Sequence, residues 1–268
     1  MAAEAAANHP LARTVLIGCA GASCSGKSTL TEWLSRILDL PILHQDNFFK
    51  KDSEVPVVNG LRYWDCPDAL DMPAFAAFLE SVKSNPSSIA SVLSPNRPAI
   101  SDSDIPSAEA QRLQAQSASF RKSFGLSASK EGLPVRIFLV DGFLMMSDPA
   151  VMAQLDFVIF LHCEFETLRE RRLSRLSYET LEGSWTDPPN YFDDVVYPAY
   201  LQFNAKVLNV LENTAVVDSV RKIPIVFSET ENALNVYCMD SGKSGLSVWA
   251  AVQKAVELVT QFIPSTTE

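Results

Sequence analysis

The stretch GASCSGKS, Gly21–Ser28, fits the pattern G-x-x-x-x-G-K-[ST], and its flanks narrow the fold more than any other part of the chain. Before it, Thr14–Ile17 is a short apolar run continued by the small residues Gly18–Ala20, which reads as a buried parallel strand. After it, Lys27–Leu38 carries Leu30, Leu34, Ile37 and Leu38 at helical spacing. Strand, glycine-rich loop and helix in that order let backbone N–H groups converge on an anion, with the helix N-terminus adding a favourable dipole. Gly21, Ala22, Ser23, Cys24, Ser25, Gly26, Lys27, Ser28 and Thr29 are therefore expected to hold the phosphates of a nucleoside triphosphate. Lys27 would reach the β- and γ-phosphates, and the Ser28 hydroxyl would take a Mg²⁺ coordination position. The loop leaves open whether the triphosphate drives work, is read as a switch, or phosphorylates a small molecule.

The rest of the chain repeats the alternation. Pro41–Asp46, Val135–Val140 and Phe157–Leu161 read as strands, the second ending in Asp141-Gly142. Met72–Val82 reads as a helix capped by Asp71 with Pro73 in its first turn. Glu164–Tyr178 reads as a charged helix, Gly183–Asn190 as a Pro-rich turn, and Tyr191–Leu208 as a helix that Pro198 kinks or interrupts. Ala215–Val220 and Ile223–Phe227 suggest a hairpin, Leu234–Met239 the last strand of the sheet, and Ser247 the cap of a helix through Ile263. Strands alternating with helices predict the α/β class, a three-layer sandwich with a parallel central sheet. One domain, 1–268, is expected, with a loose tail at 1–12, a flexible insertion at 84–107 rich in Ser, Pro, Asn and Asp, and an edge helix within 108–124.

Charge and cysteine usage remove several classes of partner. The net charge of −10, from 32 acidic against 22 basic residues, repels polyanionic backbones, so no nucleic-acid partner is expected. No run reaches the roughly 18 apolar residues a membrane helix needs, so no membrane partner is expected either. At the start, acidic Glu4 precedes Arg13, unlike a secretory signal. A cytosolic address is the expectation, with the nucleus as a second compartment. Cys19, Cys24, Cys66, Cys163 and Cys238 form no CxxC pair and no metal spacing with His9, His44 or His162, so reduced thiols are expected. Cys24, inside the phosphate loop, is placed where oxidation would matter. His44 is expected to support the second strand, and His162 to serve in a loop or behind the site.

Carboxylates at strand ends supply the chemistry. Ligands of an open α/β sheet lie beyond the carboxyl ends of the strands, which puts Asp46 opposite the phosphate loop. There it could orient or deprotonate a hydroxyl, or merely cap a turn. Asp141 would hold Mg²⁺ or contact an acceptor, with Gly142 letting ligand come close; the plainer alternative is an Asp that satisfies loop N–H groups. Trp64 and Asp65 offer an aromatic face for a planar base and a carboxylate for ribose hydroxyls, or equally a loop anchored by its tryptophan. Arg169, Arg171, Arg172 and Arg175 share a helix with Glu164, Glu166 and Glu170, where many pair at i,i+4. Phosphoryl transfer nonetheless needs cations over the group in flight, and Arg172 and Arg175 lie on one side.

In combination these pieces resemble the nicotinamide riboside kinases, the fungal members in particular, within the uridine-kinase-like P-loop kinases. The resemblance is carried in order by GASCSGKST, HQDNFFK, NGLRYWDCPDALDM, VDGFLM, ETLRERRLSR and YETLEGSWTDPPNYFDDVVYPAY, across residues 21–200 with interruptions. It implies a helical lid over 164–190 and ATP-dependent phosphorylation, with Mg²⁺, of the 5′-hydroxyl of nicotinamide riboside; nicotinic acid riboside is implied as a second acceptor. By the same resemblance Asp46 is the general base, with Lys27 and Arg172 completing the catalytic set. Arg172 and Arg175 meet the nucleotide, and Ser28, Asp46 and Asp141 surround the metal. Asp46, Phe49, Trp64, Asp65, Asp187 and Tyr191 bind the riboside. A monomer or weak homodimer acting on a small molecule is the expected state. Asn47 stands where many relatives carry a second acid, and Trp64 is larger than the Tyr of some members. Segments 84–107 and 211–233 have no clear counterpart in the short animal enzymes. Two rivals remain: a uridine or cytidine kinase with a different base pocket, and a non-catalytic nucleotide-binding regulator, for which Asp46, Asp141 and the lid arginines would be superfluous.

Overall fold

The computed structural model describes residues 13–85, 108–109, 111–113, 115, 118, 135–175, 177–180, 183–214, 220–227 and 233–262. The tail at 1–12, nearly all of the insertion at 84–107 and much of the edge helix within 108–124 lie outside them, although the described residues between 108 and 118 are helical.

The sheet is organised around β1, Arg13–Gly21, in which every residue after Arg13 is buried. Side chains of a strand alternate between faces, and here both faces are covered. Leu16 and Ala20 enter one core with Leu43, Phe75 and Leu79; Val15, Ile17 and Cys19 enter the other with Leu30, Leu34 and Val252. On the first face lie α2, Met72–Ser84, and two short helices, Tyr197–Phe203 and Ala205–Leu211. On the second lie α1, Lys27–Leu38, and the long C-terminal helix Val248–Phe262. The result is the expected three-layer sandwich.

The strand order is β2 (Ile42–His44), β5 (Val135–Asp141), β1, β6 (Phe157–His162), β10 (Ala233–Asp240), β9 (Val220–Val226). The first five are parallel, and β9 runs antiparallel beside β10, so the parallel sheet ends in an antiparallel edge. This corrects the expected hairpin between 215–220 and 223–227. β9 is one continuous strand, and its hairpin partner is β10; residues 215–219 lie outside the described residues. Ile223 and Ile225 face the core while Lys222, Pro224 and Val226 face out, and an edge strand tolerates Pro224 because no neighbour needs its N–H.

Local signals set the helix starts. Asp71 Oδ1 accepts the Ala74 N–H at 3.0 Å, and Ser247 Oγ accepts the Ala250 N–H at 3.2 Å, so both expected caps form. The lid departs from expectation. Its helix, α3, spans only Phe165–Leu173, and β7, Tyr178–Thr180, then pairs antiparallel with β8, Gly183–Trp185. The expected helical lid is therefore a helix plus a hairpin. Beyond the helix the Tyr178 ring packs under Arg172 and Arg175, whose guanidinium carbons lie 4.2 and 4.1 Å from its centroid. Ahead of Pro198 the backbone widens into a π-turn over Phe192–Val196, where the Tyr197 N–H donates five residues back to Phe192 O. The helix then breaks at Asn204, between its two short segments.

Candidate active site

The phosphate loop is set by backbone conformations that few residues tolerate. Gly21 has φ 144°, and a Cβ there would strike the Leu161 carbonyl of β6. Gly26, at φ 96°, occupies the left-handed cap position at the start of α1. Cys24 is also left-handed, at φ 65°, although it carries a side chain. Ser23, Cys24, Ser25, Gly26, Lys27, Ser28 and Thr29 line a cleft of about 1300 Å³ at the carboxyl ends of the parallel strands. Gly21 and Ala22 do not line it; both are buried in the sheet end that carries the loop. Lys27 Nζ lies 5.8 Å from the centre of the Phe143 ring.

Asp46 opens into the same cleft. It sits not on the strand but in a 3₁₀ turn, Gln45–Phe48, that begins where β2 stops. Asp46 is exposed to solvent, so the effect of the protein around the cleft wall, which raises the carboxyl above its ordinary value of 3.8, is moderated; the Asp141 charge adds to it, while Lys27, His44 and Arg175 pull the other way. The turn is locked by Gln45, whose buried Oε1 accepts the N–H groups of Phe143 and Leu144, each at 3.0 Å. Gly142 makes room for that amide, since a Cβ there would lie 2.7 Å from Gln45 Oε1. Gly142 was expected to admit a ligand; what it admits is Gln45.

Asp141 ends β5 beside His44, with Asp141 Oδ2 3.7 Å from His44 Nδ1. That contact raises the His44 pKa against the effect of partial burial. Asp141 Oδ1 is buried and has no hydrogen-bond partner. A buried carboxylate oxygen left unpaired is costly, and a cation or its water would satisfy it. Among the described residues no cluster of three or more His, Cys, Asp or Glu is placed to hold a metal by itself. Ser28 and the carboxylates thus fit an ion whose shell is completed by phosphate oxygens.

On the acceptor side Phe49, Trp64 and Trp185 form an aromatic wall, with ring centres 5.7 Å apart for the first pair and 6.1 Å for the second. Asp65 is buried beside them, and burial raises its carboxyl although Arg172 opposes the shift. Two expected contact residues lie behind this wall. Tyr191 is only 1% exposed; its hydroxyl donates to Arg62 O at 2.7 Å and accepts the Trp64 N–H at 3.1 Å. Asp187 has both oxygens engaged, by Arg172 at 2.6 and 2.9 Å and by Trp185 Nε1 at 2.9 Å. Arg172 itself is 5% exposed. Besides Asp187 it donates to Ser23 Oγ at 2.8 Å and lies 3.8 Å from Asp65. Arg175 stays exposed on the cleft wall.

Several residues of the site carry no sequence signal of their own. Gln45 and Phe143 flank recognisable motifs. Ser241, Gly242, Leu246, Ser247, Val248 and Ala251 line the remainder of the cleft beyond the last strand, where the sequence shows only a helix cap. Arg171 was one of four arginines on a charged helix, yet it reaches the backbone of the phosphate loop. Proximity to a motif could have flagged Gln45 and Phe143, but nothing local marks Arg171.

Carboxylate and phosphate loop thus face one cleft at the end of a parallel sheet, an arrangement suited to phosphoryl transfer; together with its sequence relatives it makes the protein a kinase of the P-loop class. No protein-family model matches the chain. A nicotinamide riboside kinase of Schizosaccharomyces pombe is 35% identical over 190 residues, 70% of this chain and 78% of that protein. Another, from Eremothecium gossypii, is 31% identical over 224 residues, 78% of this chain and 85% of that protein. The chain belongs to the nicotinamide riboside kinase family. Among solved structures, a sugar kinase from Janibacter sp. HTCC2649 aligns over 95% of this chain and 96% of its own, at 12% identity and a TM-score of 0.39, a level that carries no functional weight.

Proposed function

We propose that the protein transfers the γ-phosphoryl group of ATP to the 5′-hydroxyl of nicotinamide riboside, with nicotinic acid riboside as a second acceptor. The observation that carries this reading is the single cleft that joins the phosphate loop to the recess of Phe49, Trp64, Asp65 and Trp185, with Asp46 on their common wall. A pyridinium ring is flat and cationic, and aromatic faces beside a buried carboxylate favour such a ring by cation–π and charge attraction. Asp46 takes the proton of the 5′-hydroxyl as its oxygen bonds to the γ-phosphorus and the bond to the β–γ bridging oxygen breaks. Lys27, Arg175 and the loop N–H groups hold the charge on the transferring group. Ser28 and Asp141, whose Oδ1 is unpaired, are the residues that would hold Mg²⁺, which when bound neutralises polyphosphate charge. Arg172, tied to Asp187, Asp65 and Ser23, keeps the lid on the phosphate loop and orients the Asp65 carboxylate toward the riboside.

The test incubates the protein with MgATP and, separately, nicotinamide riboside, nicotinic acid riboside, uridine and cytidine, following ADP and monophosphate. Turnover of the pyridine ribosides, with riboside KM raised by Asp65→Asn, is the expected result. Preferential turnover of uridine would overturn the pocket assignment, and nucleotide binding without transfer would overturn the enzyme.

A further inference from the structure

Arg171 stands on the lid helix at the edge of the cleft, and its guanidinium donates chiefly to backbone, with Cys163 Sγ 3.9 Å from Nη1. Nη1 donates to the carbonyl oxygens of Cys24 and Ser25, each at 3.3 Å, and Nη2 donates to Ser241 O at 2.9 Å. Ser241 joins in from the end of β10. Its N–H donates to His162 O at 2.7 Å, and its hydroxyl has two acceptors, Ser25 O at 2.8 Å and His162 O at 3.1 Å, the shorter being the loop carbonyl. Two donors from distant elements therefore converge on the phosphate loop at its least comfortable point, beside the left-handed Cys24. In a trans peptide the N–H points opposite to the C=O, so anchoring Ser25 O also sets the direction of the Gly26 N–H. A charged donor on a carbonyl further polarises the N–H of that same peptide group.

We propose that Arg171, seconded by Ser241, is a positioning residue that pre-forms the phosphate loop for the donor nucleotide by fixing the peptide groups of Cys24 and Ser25. Without it, the Cys24–Ser25 peptide keeps only the Ser25 N–H bond to Ala22 O at 3.1 Å, the Ser25 carbonyl keeps only Ser241 of its two side-chain donors, and part of the nucleotide's binding energy is used to set them. The guanidinium fork is what the task requires, since it spans carbonyls on two separate segments, whereas an ammonium is a compact point charge. The proposal rests on the reading of Gly21–Ser28 as the nucleotide phosphate site, so the experiment tests that reading in parallel.

Equilibrium binding of MgADP is measured for the full chain, Arg171→Ala, Arg171→Lys, Ser241→Ala, the Arg171→Ala/Ser241→Ala double variant and Lys27→Ala, with riboside KM determined for each active protein. Arg171→Ala is expected to raise the MgADP Kd about tenfold, the scale of one charge-assisted hydrogen-bond set. Arg171→Lys should bind no better than about twofold above Arg171→Ala, and riboside KM should move less than about twofold. The double variant should lose less than the product of the single losses, since both side chains act on Ser25 O. Wild-type affinity in Arg171→Ala overturns the proposal. Full rescue by Arg171→Lys also overturns it, because charge alone would then suffice. An equal rise in riboside KM overturns it as well, because the whole site would then have loosened. If wild-type protein binds MgADP no better than Lys27→Ala, the nucleotide-site reading fails and the proposal falls with it.

Discussion

The two ends of the cleft are built in opposite ways. At the phosphate end, Ser23 through Thr29 are consecutive, and one strand–loop–helix unit sets their course, with Arg171 and Ser241 adding bonds to two of its carbonyls. The acceptor end draws Phe49 from the turn after β2, Trp64 and Asp65 from the segment after a small hairpin (β3, Val57–Val58, and β4, Leu61–Arg62), and Trp185 from β8, with Asp46 between the two ends. Tyr191 and Asp187 then hold that wall from behind. A contiguous site takes its course from its own chain and needs distant donors only to trim single peptides, whereas an assembled one is only as well formed as its long-range hydrogen bonds. Damage behind the acceptor wall should therefore appear in acceptor affinity and stability, while the donor end is spared.

Asp46→Ala gives the largest expected effect, since Asp46 serves the reaction between the ends. Its kcat should fall about 10²–10⁴-fold, the usual contribution of a positioned base, with both KM values nearly unchanged in steady-state kinetics. If riboside KM took the loss instead, Asp46 would belong to the acceptor end and the division would need redrawing. Arg172→Ala should come next, because Arg172 bridges the two ends. Removing it leaves Asp187 and Asp65 without their cation, at a cost of about 3–5 kcal/mol in urea unfolding, and both KM values should rise. Tyr191→Phe is the sharper probe of the assembled end alone. It strands the buried Trp64 N–H and removes the donor to the Arg62 carbonyl, for about 1–3 kcal/mol of stability, and should raise riboside KM several-fold with ATP KM unchanged. The mildest effect is that of pH. A general base works deprotonated, and crowding with the Asp141 charge raises Asp46, so kcat should fall on acidification at a pH above the ordinary carboxylate value of 3.8. An acidic limb at or below that value would mean that Lys27 and its fellow cations dominate the junction.

Legibility in the sequence followed the same division. The phosphate loop, its strand and its helix were readable to within a residue or two, because period and spacing act over short range. Asp46 and Asp141 were findable as carboxylates at strand ends. The lid departs from the sequence reading beyond Leu173, because Glu164–Tyr178 has helical composition throughout, whereas the pairing of Tyr178–Thr180 with Gly183–Trp185 and the contact of Arg172 with the Tyr178 ring depend on segments that only the fold brings together. β9 was misread because its strand pairing depends on β10 rather than on its own turn residues.

By itself the sequence determined the alternating elements, the phosphate-binding turn and the identity of the carboxylates that face it, since each follows from neighbours along the chain. Tertiary structure alone decided that Tyr191 and Asp187 support the acceptor wall instead of lining it, and that Gln45 locks the turn carrying Asp46. It alone placed Arg171 on the carbonyl of Cys24, 147 residues away. Such contacts depend on how distant segments meet across the sheet, and no local period or spacing encodes that meeting.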